Sequence, residues 1–219
     1  MDGPSVTAIE AARLLAVQLL SPAFPTGGFA YSQGLEWAMA EGSVRDAATL
    51  ADWLRDALVH GAGWSDAVLL SLALRPDADH VALDDLARAL CLSSERLTET
   101  LDQGAAFART AAALTGTAPD PAALPVAVGR ACVGLALPRA EAIALYLQGQ
   151  MLNQVQAAIR FLPLGQTAGQ RVLAGLAPLI LRQAARAATA TEDELGGCAF
   201  GAEIAAMRHE TMETRIFRT

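Results

Sequence analysis

The sequence predicts an all-α protein, a single globular bundle of about nine or ten helices. Ala supplies 48 of the 219 residues, or 22%, and it is the strongest helix former. Aromatic residues reach only 5%, and the β-branched and aromatic side chains that favour strands are sparse. Hydrophobic residues make up 53% and charged residues 18%, so much of the chain has to be buried. No repeat, linker or break in composition divides it, so residues 1–219 read as one domain with one core.

The first helix runs from about Thr7 to Leu20. Ala8, Ala12, Leu15 and Leu19 share its apolar face, with Glu10 and Arg13 off it. Ser21-Pro22 ends it, because a residue before proline avoids the helical region. SPAFPTGGFAYSQG is then a structured loop. A short helix spans about Leu35–Glu41, and Gly42 closes it. Ser43-x-x-Asp46 reads as a capping start for the next helix, about Asp46–His60, whose stripe is Leu50, Trp53, Leu54, Ala57 and Leu58. Gly61 and Gly63 stop it. Ser65 or Asp66 caps an apolar helix through Leu74, and RPDADH is a turn.

Helices follow near Leu83–Cys91 and Ser94–Leu114, and TGTAPDP is the clearest loop in the chain. Pro125 and Pro138 suit the first turns of two further helices. The second, about Pro138–Phe161, carries no charge from Ala142 to Ile159 and reads as a central helix buried on most sides. Thr167-x-x-Gln170 reads as a capping box opening a helix to about Thr189. Thr191 and the acids at 192–194 start a short turn, ended by Gly196-Gly197. A last helix spans about Ala199–Met212 and leaves the tail TRIFRT.

Composition excludes several chemistries. All 16 basic residues are Arg, so neither the lysine of a phosphate-binding loop nor a Schiff-base lysine is available. A net charge of −7 and a pI of about 4.9 argue against a nucleic-acid partner. Cys91, Cys132 and Cys198 form no CxxC, which fits buried thiols in a reducing compartment. Leu14 to Leu35 is 22 residues without a charge, but Ser21, Pro22, Pro25, Gly27 and Gly28 break it, so it is not a membrane span. MDGPSVTAIEAAR lacks the basic start of a signal peptide, and the expected location is the cytoplasm.

No catalytic, cofactor or metal constellation is evident. His60, His80 and His209 lie in separate regions; His209-Glu210-x-x-Glu213 reads as the polar face of a terminal helix rather than a ligand set. Ser32 and Ser21 belong to no GxSxG elbow, so a hydrolase needs distant residues to converge, such as Ser32 with His60 or His209. Gly27-Gly28 has neither the GxGxxG spacing nor a preceding strand, and reads as a tight turn of a packed loop. Phe24, Phe29, Tyr31, Trp37, Trp53 and Trp64 read as core, with a partner surface as the other reading. Gln148, Gln150, Gln154, Gln156, Gln166 and Gln170 suggest interhelical hydrogen bonds or a polar internal surface. At the end of the chain, Ile216-Phe217 packs either on its own domain or on another protein. An interaction protein fits these residues better than an enzyme.

Three blocks carry a resemblance. LLSPAFPTGGFAYSQGLEWA, with Ser21-Pro22, Pro25 to Gly28 and Tyr31 to Glu36, is similar to the N-terminal signature of the urease accessory protein UreF family. PLGQTAGQRVL, Pro163 to Leu173, and the ending RHETMETRIFRT resemble two further family blocks in the same order. Thr219 stands where the family pattern has Ser, and residues from about 75 to 135 add only helix pattern. The resemblance implies an all-helical, non-catalytic scaffold without a cofactor. It implies a homodimer that binds UreD (also called UreH), recruits the GTPase UreG and docks on apo-urease for nickel insertion. By that resemblance Glu36 is an acidic residue facing the GTPase. Gly165, Gln166, Gln170 and Arg171 form a loop and helix start near the dimer or GTPase surface, with Arg171 serving where other members use a lysine. His209, Glu210, Arg215, Phe217 and Arg218 dock UreD, residues 213–219 being a tail ordered by a partner. Pro22, Pro25, Gly27 and Gly28 are structural.

Overall fold

The computed structural model describes residues 6–219, apart from the side chains of Val6 and Ala8. The reading of Met1–Ser5, and of Ala8 in the first apolar stripe, lies outside the described residues. Those residues form ten α-helices and two 3-10 turns, with no strand. Helix α1 spans Val6–Leu19, α2 Leu35–Ala40, α3 Ala47–Val59, α4 Ala62–Ala73 and α5 His80–Ala89. They are followed by α6 Ser94–Thr115, α7 Leu124–Cys132, α8 Arg139–Phe161, α9 Gln166–Ala187 and α10 Phe200–His209.

The ends of these helices show where local chemistry decides and where packing overrides it. The cap of α3 is Asp46, not Ser43: its carboxylate accepts from Thr49 N–H at 2.9 Å, and Thr49 Oγ1 accepts from Asp46 N–H at 3.1 Å. Helix α4 begins before Ser65, at Ala62. Gly61 and Gly63 sit at its start because a Cβ there would meet Ala199 Cβ at 2.9 Å or Ala57 O at 2.9 Å. They permit a tight turn between two helices rather than ending one. Helix α5 starts at His80, capped by Asp79, which accepts from Val81 and Ala82 N–H at 3.1 Å.

Pro125 lies in the first turn of α7, whereas Pro138 is the residue just before α8. Helix α9 starts at Gln166 with Gly165 as its uncapped N-terminus, so the Thr167–Gln170 box does not form. A box does form between Thr191 and Glu194, around the 3-10 turn Glu192–Glu194. Helix α10 ends at His209, three residues short of the sequence expectation.

The buried side chains form one continuous core. Helix α8 runs through it with no exposed residue from Arg139 to Ile159, which is why its sequence carries no charge from Ala142 to Ile159. Helix α9 lies along α8, α4 packs against α7, α8 and α9, and α6 pairs with α7. Every residue of α4 from Ala67 to Ala73 is buried. Helix α10 closes the structure at one end by packing on α2 and α6.

Candidate functional site

The loop before α2, the start of α6, the end of α10 and the C-terminal segment meet in one place. Glu36 stands at its centre. It lies in the first turn of α2 and is only 1% exposed. Its Oε1 accepts the Ile216 N–H at 2.7 Å and its Oε2 the Phe217 N–H at 2.9 Å. Oε2 is also 3.1 Å from Nε2 of the fully buried His209. The other ring nitrogen, Nδ1, is 2.7 Å from Glu95 Oε2, and Glu95 Oε1 accepts from Arg215 Nη1 at 2.5 Å. Glu95 lies in the first turn of α6, where a carboxylate is favoured, and His209 in the last turn of α10.

Glu210, next in the chain, is exposed but not idle. Its Oε1 accepts from Ser94 N–H and Oγ, each at 2.8 Å, and from Glu95 N–H at 3.2 Å. These donors, led by the Ser94 hydroxyl, hold its carboxyl below the ordinary carboxylate range.

The last residues are clasped by the loop. Ser32 N–H donates to Thr219 O at 2.8 Å, and Ser32 Oγ donates to the same oxygen. Thr219 Oγ1 donates to Glu99 Oε2 at 3.1 Å and faces Gln33 N–H at 3.4 Å. Among the described residues Gln33, at φ 55, is the non-glycine residue in the left-handed region. Its side chain donates to Glu99 Oε1 at 2.8 Å, as does Gln103 Nε2 at 2.9 Å. Burial pushes the Glu99 carboxyl up, opposed by Arg96 and by the hydrogen bonds from Gln33 and Thr219. Desolvation works against the Arg96 charge, but Asp66 and Glu99 outweigh it and hold the guanidinium protonated. Gly34, at φ 78, lets α10 come in against the loop: a Cβ would lie 2.4 Å from Ala206 N.

Phe217 is 4% exposed and belongs to the core, with the Arg160 guanidinium 4.6 Å above its ring. Arg218 N–H donates to Ala30 O at 2.8 Å, and its side chain reaches Tyr31 OH at 3.0 Å and Asp102 Oδ2 at 3.2 Å. Ile216, by contrast, is 65% exposed. Phe200, Ile204 and Met207 are exposed too, and they recur along one side of α10.

Several sequence expectations change here. Glu36 is a buried anchor for the chain's own tail, not a surface acid. Phe217 and His209 are internal, so neither can be a partner's anchor in this arrangement. The tail is ordered by its own domain, because Glu36, Glu95, Glu99 and Asp102 supply acceptors for its backbone and side chains. His209, Glu210 and Glu213 do not share a helical face, since α10 ends at His209. Ser32 pairs with neither proposed histidine: its hydroxyl serves Thr219, both His209 nitrogens face carboxylates, and His60 is exposed elsewhere.

Gly165, Gln166, Gln170 and Arg171 are all exposed around the start of α9. In the loop, Gly27 has the positive φ, 78°, while Gly28 is limited by space, a Cβ there lying 2.7 Å from Asn153 Nδ2. Pro22 and Pro25 are exposed, and Phe24 between them packs 5.0 Å from the Phe107 ring. Phe24, Tyr31 and Trp64 are core, Trp37 and Trp53 are half-buried, and Phe29 is 70% exposed. The glutamines divide: Gln154 is buried, Gln148, Gln150 and Gln156 are half-buried, and Gln166 and Gln170 face solvent.

Sequence reasoning missed Glu95, Glu99 and Asp102, the α6 face on which the tail lies. Their i, i+4, i+7 spacing was the available signal, an acidic stripe matching the arginines at 215 and 218.

This is an all-helical protein whose most elaborate side-chain cluster fixes its own C-terminal segment, with Ile216 and one apolar side of α10 exposed to solvent. The family model for UreF matches residues 44–177. The chain is 63% identical over 210 residues to the urease accessory protein UreF of Paracoccus denitrificans strain Pd 1222, covering 96% of this chain and 97% of that protein. It is 58% identical to the protein of the same name from Cereibacter sphaeroides strain ATCC 17029, over 96% of this chain and all of that one. With that of Roseobacter denitrificans it shares 46% identity, over 94% and 93% of the two chains. The chain belongs to the UreF family of urease accessory proteins, and its role is in urease maturation. Among the described residues no helix is long and apolar enough to cross a membrane.

Proposed function

We propose that the chain is a non-catalytic scaffold that bridges UreD (UreH) and the GTPase UreG, as a homodimer in the cytoplasm, so that nickel can be inserted into apo-urease. The observation that carries this is the division of labour at the C-terminus. Phe217, His209 and Glu36 are spent on holding the segment in place, and Ile216, Phe200, Ile204 and Met207 are left uncovered. Exposed apolar side chains on a segment held in place, with Arg215 and Arg218 in the same segment, have the make-up of a protein interface. We assign it to UreD. The exposed start of α9, with free backbone N–H groups and Arg171, is a separate polar surface, and we assign it to UreG.

Co-purification with the other urease maturation proteins tests both assignments. Ile204→Asp with Ile216→Asp should lose UreD while circular dichroism stays that of the wild type. Removing one well-buried interface anchor often costs ~2–4 kcal/mol, or about 30- to 1,000-fold in affinity. Arg171→Ala with Gln170→Ala should keep UreD and lose UreG. Folded variants that capture both partners at wild-type yield would overturn the bridging reading.

A further inference from the structure

His209 sits between two carboxylates with no access to solvent. Glu36 faces Nε2 from α2 and Glu95 faces Nδ1 from α6. A neutral imidazole has one N–H and one lone pair, so it can donate to only one of them. The other contact would set a lone pair against a carboxylate oxygen inside the protein. The carboxylates are poorly placed to supply the missing proton themselves. Both oxygens of Glu36 accept from backbone N–H groups, and Glu95 Oε1 accepts from Arg215. With both ring nitrogens protonated, the two carboxylates, Arg215 and the imidazolium balance in charge. With one proton gone, the cluster carries a net negative charge, and its His209 and Glu36 side chains have no water to turn to.

We propose that His209 is a proton-operated latch for the C-terminal segment. Doubly protonated, it ties α10 to α2 and α6 and fixes the Glu36 carboxylate where it accepts the Ile216 and Phe217 N–H groups. When the ring loses a proton, Glu36 or Glu95 must turn away from it. Both residues also hold the tail, Glu36 through the backbone and Glu95 through Arg215, so the tail loosens with them. The sign is fixed by the donors: the segment is seated at lower pH and released as pH rises. If release costs the ring one proton, the opening equilibrium rises by up to about tenfold per pH unit while the seated ring keeps both protons, and it levels off once the seated ring has lost one as well. This holds whichever partner the neighbouring surface takes up.

The test uses the full-length protein and two readouts across about pH 5.5 to 8.5. One is hydrogen-exchange protection of the Ile216 and Phe217 amides, corrected for intrinsic exchange and compared with Ile143 and Leu147 in α8. The other is the nitrogen NMR signal of the His209 ring. The expected result is two protonated ring nitrogens while the tail is protected, and a fall in tail protection as one proton leaves, with the α8 amides unchanged. His209→Gln should give weak tail protection that does not vary with pH. If that variant fails to fold, the wild-type ring signals still decide. A ring with one bare nitrogen while the tail is fully protected would overturn the latch. So would tail protection that does not change through the ring's titration.

Discussion

Replacing Glu36 by Ala puts the greatest strain on this reading of the C-terminal junction. The substitution removes the acceptor of two backbone N–H groups, from Ile216 and Phe217, and one of the two partners of a fully buried imidazole. A buried donor left without a partner costs ~1–3 kcal/mol. The tail can limit that cost by detaching and meeting water, but it then gives up the burial of Phe217, worth about 1.5–3 kcal/mol. Two backbone donors and a buried imidazole lose their acceptor together, so a total of ~3–5 kcal/mol is expected here. Glu36→Gln keeps one acceptor but turns an N–H₂ group toward existing donors, so a loss of about half that size is expected. Urea unfolding followed by far-UV circular dichroism measures both. With a slope of ~2–3 kcal/mol/M for a chain of this size, the midpoint for Glu36→Ala should fall by about 1–2.5 M. A surface carboxylate changes stability by no more than about 0.5 kcal/mol. A midpoint for Glu36→Ala that matches the wild type within that margin would show that Glu36 does not anchor the tail.

The two loop glycines with positive φ, Gly27 and Gly34, should behave differently. Gly34→Ala meets both a φ of 78° and the α10 backbone at 2.4 Å, and should lose ~2–4 kcal/mol; Gly27→Ala has the same φ with open space around it and should lose only ~1–2 kcal/mol, both read from denaturant midpoints. Glu210 has its carboxyl lowered by the Ser94 hydroxyl and the backbone donors of α6, so its contribution is present above the ordinary carboxylate range and is lost as pH falls through the lowered value. Glu210→Gln should therefore flatten a small part of the acid limb of the stability–pH curve. The Cys132 thiol is pushed up to about 12 by burial, so in the native protein it should resist alkylation near neutral pH and react only on unfolding, as mass spectrometry of modified peptides would show.

The sequence alone determined the helical class and most of the helix positions. The reason is that both are local properties. Alanine content, apolar spacing near 3.6 residues and Gly or Pro at the breaks act within a few residues, and the charge-free stretch of α8 announces a helix with no solvent face. The family blocks were legible in the same way, as unbroken runs. Helix ends were less legible where contacts between elements set them, as at Gly61 and Gly63, where the closeness of Ala199 and Ala57 matters more than the usual role of glycine as a stop. The site itself was decided by the tertiary structure. Glu36 and His209 are 173 residues apart, and a charged side chain taken alone is rightly assigned to the surface, because burying it is costly. Only the fold brings together the partners that offset that cost: two backbone N–H groups, an imidazole and, through Glu95, an arginine. Only the fold, too, decides that of the neighbouring pair Ile216 and Phe217 the second turns inward and the first stays exposed.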